Sequence, residues 1–208
     1  MKNYFVTGIG TGVGKTVVSA IFTESLEADY WKPIQAGGLE HTDTDIVKNL
    51  ISNTKSKFHP ETYRLKHPAS PHYSAFLENI KIQESNIIKP KTNNNLIIEG
   101  AGGLMVPLNN NFMIVDLIKQ LNAEVVLVSG NYLGSINHTL LSVEALKNRS
   151  VPIKGIVFCG EINEASEDFI LKYTGLPFIL RVGYENLFSK TVIRKYADIL
   201  YPFLKDLR

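Results

Sequence analysis

Short apolar runs that end in glycine recur along the chain and predict buried β-strands. The four clearest runs, all rich in β-branched residues, are NYFVTG, NLIIEG, EVVLVSG and IKGIVFCG. Apolar runs of this length without alternation are typical of parallel strands that are covered on both faces. A further, shorter strand is predicted at DYW, immediately before Lys32.

Segments with helical spacing separate the runs. Ile114, Leu117, Ile118 and Leu121 follow the i, i+3, i+4, i+7 spacing of one helix face. Helices are also predicted at KTVVSAIFTESLEA, HTDTDIV and LLSVEALKNRS, after the prolyl loop of KHPASPHYS, and over the last segment from TVIRKYADIL to YPFLKDLR. Alternating strands and helices predict an α/β fold with a doubly wound, mostly parallel sheet. Without an internal repeat or a long linker, residues 1–208 are expected to form one domain.

Composition narrows the classes of partner and compartment. Hydrophobic residues make up 44% of the 208 residues, enough for a substantial core, and the formal net charge is only +2. This balance, without a long basic run, favours neither nucleic acid nor an anionic membrane as a partner. Cys159 is the single cysteine, which excludes an intrachain disulfide. The N-terminal apolar stretch is too short for a signal peptide and no run reaches transmembrane length, so a cytoplasmic protein is expected.

The segment GIGTGVGKT lies between a predicted strand and a predicted helix, as a phosphate-binding loop does. In such a loop, backbone N–H groups, a helix N-terminus and a lysine all face phosphate oxygens. Gly14, Lys15 and Thr16 form its GK[ST] end, with Thr16 predicted to bind Mg²⁺. The strict spacing requires glycine where this chain has Ile9, so the match is to a longer variant that begins at Gly8. The loop therefore predicts nucleoside triphosphate binding rather than a chance glycine-rich turn.

Three kinds of charged residue are candidates for the chemistry. Glu99 ends a predicted strand at the edge where open α/β sheets bind ligands, and we predict that it binds the metal. Asp45 is either a second metal ligand or an N-terminal helix charge or cap, and Asp43 competes for either role. Lys32 is either a surface lysine or a second cation that stabilises a transferring phosphoryl group.

Six segments together resemble dethiobiotin synthetases in their order and approximate spacing. They are YFVTGIGTGVGKT, WKPIQAGG, DTD, PASPHYSA, EGAGGLMVPL and LGSINHTLL, and the resemblance covers about residues 1–146. The chromosome- and septum-partitioning ATPases differ, because they have a lysine early in the loop where this chain has Gly10. The resemblance implies a P-loop NTPase-like fold and a homodimer.

The resemblance also implies an activity. The family carboxylates 7,8-diaminononanoate with CO₂ (supplied as bicarbonate), using ATP and Mg²⁺, in biotin synthesis. A carbamate forms on one amine, the γ-phosphoryl group is transferred to it, and the second amine closes the ureido ring of dethiobiotin. The diamine can be bound with its reacting nitrogen neutral, so no histidine base is required.

The family's functional residues map onto this chain as follows. Lys15 would hold the β- and γ-phosphates, Thr11 would lie over them, and Lys32 would contact the carbamate and the transferring group. Thr16, Asp45 and Glu99 would surround Mg²⁺. The nucleotide-binding residues implied are Gly12, Val13, Gly14, Lys15, Thr16, Val17, Asp45, Glu99, Gly100, Ala101, Gly102, Cys159, Gly160, Gly183 and Tyr184. The substrate-binding residues implied are Lys32, Ala36, Gly134, Ser135, Ile136 and Asn137.

The segment LGSINHTLL has two interpretations. In the family, this turn and helix N-terminus lie at the dimer interface and bind the distant carboxylate of the substrate, as a helix N-terminus can. Alternatively, Ser135 or Asn137 caps the helix and His138 packs in the core or an interface. No role is predicted for His41, His67 or His72.

The chain departs from the family pattern at three places. The loop has Gly12 where an acidic residue is frequent, and Ala36 replaces a hydroxyl residue. The base-recognising Asn-Asp pair is replaced by Cys159-Gly160. An Ile-Pro turn is replaced by Val182-Gly183, next to which Tyr184 is either a stacking partner of the base or a surface side chain. We therefore expect firm binding of the triphosphate and weak recognition of the base.

Two other functions are less consistent with the sequence. A non-catalytic nucleotide-sensing module is disfavoured because Lys15, Thr16, Lys32 and Glu99 are all present and the chain lacks room for a partner domain. A cobyrinate-type amide synthetase is disfavoured because we expect no glutaminase domain within these 208 residues.

Overall fold

The structure, a computed structural model, describes the backbone of residues 1–206 and the side chains of residues 1–204. Its strands are β1 (Asn3–Gly8), β2 (Asp29–Trp31), β3 (Ile34–Ala36), β4 (Phe58–His59), β5 (Tyr63–Leu65), β6 (Leu96–Gly103), β7 (Glu124–Gly130), β8 (Ile153–Cys159) and β9 (Phe178–Val182). Seven of them form a sheet in the order β4-β2-β6-β1-β7-β8-β9, and β3 pairs with β5 separately. All pairings between these strands are parallel. The five predicted strands are confirmed.

Within the described residues, seven α-helices lie between these strands or after the last one. They are α1 (Lys15–Leu26), α2 (Asp43–Leu50), α3 (Pro71–Leu77), α4 (Ile114–Gln120), α5 (Ser135–Lys147), α6 (Glu164–Thr174) and α7 (Lys190–Asp206). The predicted helical segments are confirmed, although the last prediction extends to Leu207 and Arg208, which lie outside the described residues. No helix within residues 1–206 combines the length and apolar character that crossing a bilayer requires.

The period of two along each strand divides the core between the two faces of the sheet. In β1, Phe5 packs on the face covered by α4 and α5, whereas Tyr4 and Val6 pack on the face covered by α1, α2 and α7. In β7, Val125 and Val126 divide in the same way. Burial on both faces requires apolar side chains at every strand position, which explains the continuous apolar runs. The doubly wound α/β class is confirmed.

A buried carboxylate holds the C-terminal part of α1 against its neighbours. Glu24 accepts hydrogen bonds from the backbone N–H of Ser52 (2.9 Å) and of Asn53 (3.0 Å), and from Nη1 of Arg194 (3.0 Å). Burial alone would raise the pKa of Glu24, but the hydroxyl, amide and N–H donors of Ser52 and Asn53 lower it to about 2. Glu24 thus stabilises the packing of α1 on the chain after α2 and on α7.

This pKa predicts a pH-dependent part of the stability. The folded pKa lies below the ordinary value of 4.5, so the stabilisation is present above pH 4.5 and is lost as the pH falls towards 2. The difference corresponds to about 3 kcal/mol. Glu24→Gln should lower the free energy of unfolding at pH 7 by roughly that amount, with a smaller deficit at pH 3, as measured by urea denaturation. Glu27→Gln, which removes an exposed ion pair with Lys55, is the control. A Glu24→Gln deficit that stays constant between pH 7 and pH 3 would contradict the role of the Glu24 charge.

Candidate active site

The first strand–loop–helix junction forms a cradle for an anion. β1 ends at Gly8, where a Cβ atom would lie 2.4 Å from Cγ2 of Val13, so close packing of the loop requires glycine. Gly14 precedes α1 at φ 99°, in the left-handed region that favours glycine. α1 has no side-chain cap and no acidic residue in its first turn. An uncapped helix N-terminus of this kind attracts phosphate.

Glu99 is the central acceptor of the site. It is 1% exposed. Its Oε1 accepts hydrogen bonds from Oγ1 of Thr16 (2.9 Å) and from Nζ of Lys32 (3.2 Å). The hydroxyl of Tyr30 donates to Oε2 (2.9 Å). The carboxylate therefore connects β6 to the start of α1 and to β2 and the residue that follows it.

Lys32 is a buried cation between two carboxylates. It follows β2, as predicted, and is 4% exposed, so the surface-lysine interpretation is wrong. Its Nζ lies 2.6 Å from Oδ2 of Asp43 and 3.2 Å from Oε1 of Glu99. Burial alone would lower the pKa of Lys32, but the negative charges of Glu99 and Asp43 outweigh this effect and raise it. Lys32 is therefore protonated at neutral pH.

The structure decides between the two aspartates at the start of α2. Oδ2 of Asp45 accepts hydrogen bonds from the backbone N–H (3.0 Å) and the hydroxyl (2.7 Å) of Thr42. The backbone N–H of Asp45 donates in return to the Thr42 hydroxyl, which completes a capping box. The predicted grouping of Asp45 with Thr16 and Glu99 is therefore corrected, because Asp43 reaches the site and Asp45 caps the helix.

Lys15 adds a second cation at the phosphate loop. Its Nζ donates to the backbone carbonyl of Gly10 (2.9 Å). Burial lowers the pKa of Lys15, and the nearby charge of Lys32 acts in the same direction, whereas Glu99 opposes the shift. Two ammonium groups and two carboxylates thus occupy one region.

This region opens into a cavity of about 740 Å³. The predicted site residues that line it are Thr11, Gly12, Gly14, Lys15, Thr16, Val17, Lys32, Ala36, Glu99, Gly100, Ala101 and Gly102. Asp43, Gln35 and the prolyl segment 68–71 also line it. The cavity therefore unites the predicted phosphate, metal and carbamate residues, apart from Asp45.

A second cavity of about 370 Å³ lies on the other side of the phosphate loop. The predicted residues that line it are Val13, Cys159, Gly160, Gly183 and Tyr184, and it shares Thr11, Gly12, Gly14 and Val17 with the first cavity. Burial raises the pKa of Cys159 to about 12, so its thiol is neutral. Tyr184 lines the cavity while remaining 78% exposed.

The lining of the second cavity includes residues that the sequence did not reveal. Asn131, Tyr132 and Phe188 line it. Asn131 donates from Nδ2 to the Glu161 carbonyl (2.7 Å) and to Oε1 of Glu167 (2.6 Å), while its Oδ1 is buried without a hydrogen-bond partner. Asn131 directly follows the glycine that ends a predicted strand. This position at a strand end is the signal from which its place in the site could have been predicted.

The predicted carboxylate-binding turn lies apart from both cavities. Gly134, Ser135, Ile136 and Asn137 line neither of them. Gly134 is the N-cap of α5, at φ 102°, and no side chain caps the helix, so the interpretation of Ser135 or Asn137 as a cap is wrong.

The histidines lie outside the two cavities as well. His138 is exposed, with Nδ1 2.8 Å from the hydroxyl of Tyr132, and it is not part of the core. His41, His67 and His72 line neither cavity.

The donor set next to Lys32 suits Mg²⁺. The hydroxyl of Thr16 and the carboxylates of Asp43 and Glu99 are hard oxygen donors, the type that Mg²⁺ prefers. The ammonium of Lys32 already lies between the two carboxylates, so this position attracts a cation. Within the described residues, no group of three or more His, Cys, Asp or Glu side chains could hold a metal. Mg²⁺ usually takes only one or two carboxylates and completes its shell with phosphate and water.

Comparisons with known proteins show which family the chain is similar to. A family model described as an AAA domain matches residues 2–191. The ATP-dependent dethiobiotin synthetase of Cytophaga hutchinsonii is 52% identical over 202 residues, covering 97% of this chain and 98% of the relative. That of Chlamydia pneumoniae is 44% identical over 198 residues, covering 95% and 89%.

Solved structures show the fold at much lower identity. The septum site-determining protein MinD of Pyrococcus horikoshii, complexed with Mg-ADP, matches with a TM-score of 0.64 at 12% identity, covering 98% of this chain and 97% of that one. A ParA family ATPase of Chlorobium tepidum matches with a TM-score of 0.58 at 14% identity, covering 98% and 92%.

The parallel sheet, the glycine-rich cradle and these neighbours define an α/β protein with a P-loop NTPase-like fold. The relatives found by sequence identify one family within that class. The chain belongs to the dethiobiotin synthetase family, the ATP-dependent ligases of biotin biosynthesis. The resemblance that the six sequence segments predict is confirmed.

The buried lysine has a testable effect on stability. Lys32→Met removes the cation that Asp43 and Glu99 share, and in metal-free buffer the free energy of unfolding should fall by about 3 kcal/mol or more. Added Mg²⁺ should stabilise the variant more than the unsubstituted chain, because the metal no longer competes with an ammonium. Urea denaturation with EDTA or with Mg²⁺ measures both effects. Lys55→Met, which breaks an exposed pair with Glu27, should change little. An equal response to Mg²⁺ in the chains with and without Lys32 would show that the ammonium and the metal do not compete for the two carboxylates.

Proposed function

We propose that the chain catalyses ATP- and Mg²⁺-dependent carboxylation and ring closure of 7,8-diaminononanoate to dethiobiotin. CO₂ first adds to one amine, and the resulting carbamate oxygen accepts the γ-phosphoryl group of ATP, which leaves ADP. The second amine then attacks the carbon of this carbamic–phosphoric anhydride, forms the second C–N bond of the ureido ring and expels phosphate. The observation that supports this proposal best is the convergence of Lys15, Lys32, Asp43 and Glu99 on one cavity.

The phosphate loop would bind and orient the triphosphate. The uncapped N-terminus of α1 supplies N–H donors and partial positive charge, and Lys15 supplies a full charge for the β- and γ-phosphates. Thr11 lines both cavities and would lie over the phosphates. The 370 Å³ cavity would then hold the nucleoside.

Lys32 would hold the carbamate. Its ammonium is kept protonated by Glu99 and Asp43, so it offers positive charge to an anionic carbamate and to the transferring phosphoryl group. A lysine in this state does not remove a proton, and none of the five histidines lines the 740 Å³ cavity. The diamine would therefore bind with its reacting nitrogen neutral.

Thr16, Asp43 and Glu99 would hold Mg²⁺. The metal, when bound, supplies charge that polarises the β- and γ-phosphate oxygens. Asp43 replaces Asp45 in the ligand set, because Asp43 contacts Lys32 whereas Asp45 is engaged by Thr42.

A homodimer would complete the substrate site. The N-terminus of α5 lies at the surface, where Leu133 is fully exposed and Tyr132 and Leu141 are also exposed. A second copy that covers this surface would let residues 134–137 bind the distant carboxylate of a diamine held by its partner, because a helix N-terminus attracts anions.

Catalysis can be separated from nucleotide sensing by one assay. Phosphate release should require the diamine and bicarbonate together, and Lys32→Ala should abolish it while binding of an ATP analogue changes little. Lys55→Ala, which alters an exposed lysine, should release phosphate at the normal rate. Normal turnover of Lys32→Ala would remove Lys32 from the reaction. Binding of ATP by the unsubstituted chain without diamine-dependent phosphate release would instead favour the sensor.

Base recognition gives a second test. Cys159, Gly160 and Gly183 offer no side-chain amide or carboxylate to a base edge, and Nδ2 of Asn131 is already engaged, so the amide of Asn131 leaves only its Oδ1 acceptor for a base. CTP and GTP should therefore support turnover within about a hundredfold of ATP, a discrimination below ~2.7 kcal/mol. Ratios of kcat/KM for the three nucleotides measure this. A larger preference for ATP would show that other groups recognise the base.

A further inference from the structure

We propose that Tyr30 is a positioning residue that orients the Glu99 carboxylate towards Thr16 and Lys32. This inference rests on the proposed function, because it assigns Tyr30 a role in holding the metal ligand. Tyr30 itself does not line either of the two cavities, so it acts through Glu99 and not on the substrate.

The phenol ring has a fixed position. Tyr30 lies in β2, and its register partner in β6 is Ile97, two residues before Glu99. The side chain is fully buried in the core beneath α1 and α2, and its ring lies 5.8 Å from that of Phe58, centroid to centroid. A side chain packed in this way has little freedom to move, so its hydroxyl is a stationary donor.

The two oxygens of Glu99 have different tasks. Oε1 accepts from Thr16 and Lys32, the residues on the cavity side. Oε2 accepts from the hydroxyl of Tyr30 at 2.9 Å on the core side. Without that donor, a buried carboxylate oxygen would lose its partner and the carboxylate could rotate about its terminal torsion, because such torsions are broad.

The direction of this hydrogen bond supports the role. An ionised carboxylate can only accept, so the hydroxyl of Tyr30 is the donor to Oε2. Partners that orient metal ligands in this way contribute roughly 10- to 100-fold to metal affinity or activity.

Tyr30→Phe tests the proposal, because it removes the hydroxyl and keeps the ring. We expect the affinity for Mn²⁺ in the presence of ADP, measured from the free Mn²⁺ signal by electron paramagnetic resonance, to fall about tenfold or more. Affinity for ADP without metal should change less than about twofold, because Tyr30 lines neither cavity. Tyr63→Phe is the matched control, since its hydroxyl contacts Gln83 and Asn86 away from the site. A merely structural role would lower the denaturation midpoint of Tyr30→Phe and leave its Mn²⁺ affinity unchanged, and that result would overturn the proposal.

A double substitution keeps the test decisive if Tyr30→Phe is less stable. In a Glu99→Gln background, adding Tyr30→Phe should cause no further loss of Mn²⁺ affinity, because Tyr30 acts only through Glu99. Independent, additive losses would overturn the proposal. The titration does not depend on turnover. Failure to form dethiobiotin would therefore reject the proposed function without affecting this result.

Discussion

A single buried carboxylate, Glu99, is the interaction on which the site depends. An ionised carboxylate that is 1% exposed is costly unless it is paired and hydrogen-bonded. Thr16, Lys32 and Tyr30 meet this requirement from α1, from the residue after β2 and from β2 itself. The hydrogen bonds that satisfy the charge are therefore the same ones that fix the start of α1 and the end of β2 relative to β6.

The charged side chains around Glu99 nearly cancel one another, so a bound polyanion would need positive charge from other groups. Lys15 and Lys32 balance Asp43 and Glu99 in the cavity, so the four groups together are neutral. A triphosphate and a carbamate would add several negative charges, which the uncapped N-terminus of α1 and a Mg²⁺ ion would offset. The four side chains therefore contribute little net charge. The preference of the site for one anion over another depends on where each cation lies.

The elements that local patterns determine were predictable from the sequence. Apolar runs without alternation specify strands buried on both faces, and GIGTGVGKT specifies the loop at their edge. The choice between Asp43 and Asp45 was not predictable in this way, because both lie in the first turn of α2. Only the structure shows that Asp45 forms the capping box with Thr42 and that Asp43 faces Lys32.

The role of Tyr30 was not predicted, because an aromatic side chain in a short apolar strand indicates core packing. The sequence gives no sign that its hydroxyl is directed at Glu99. Residues 134–137 form a helix start without a side-chain cap, and their separation from the 740 Å³ cavity becomes visible only in the fold.

A crystal structure with Mg²⁺, a non-hydrolysable ATP analogue and the diamine would decide whether Glu99 organises the site in this way. We expect the metal at about 2.1 Å from oxygens of Thr16, Asp43 and Glu99, with Lys32 contacting the carbamate or the amine that forms it. A metal that is bound without Glu99, or a diamine remote from Lys32, would contradict the proposed arrangement.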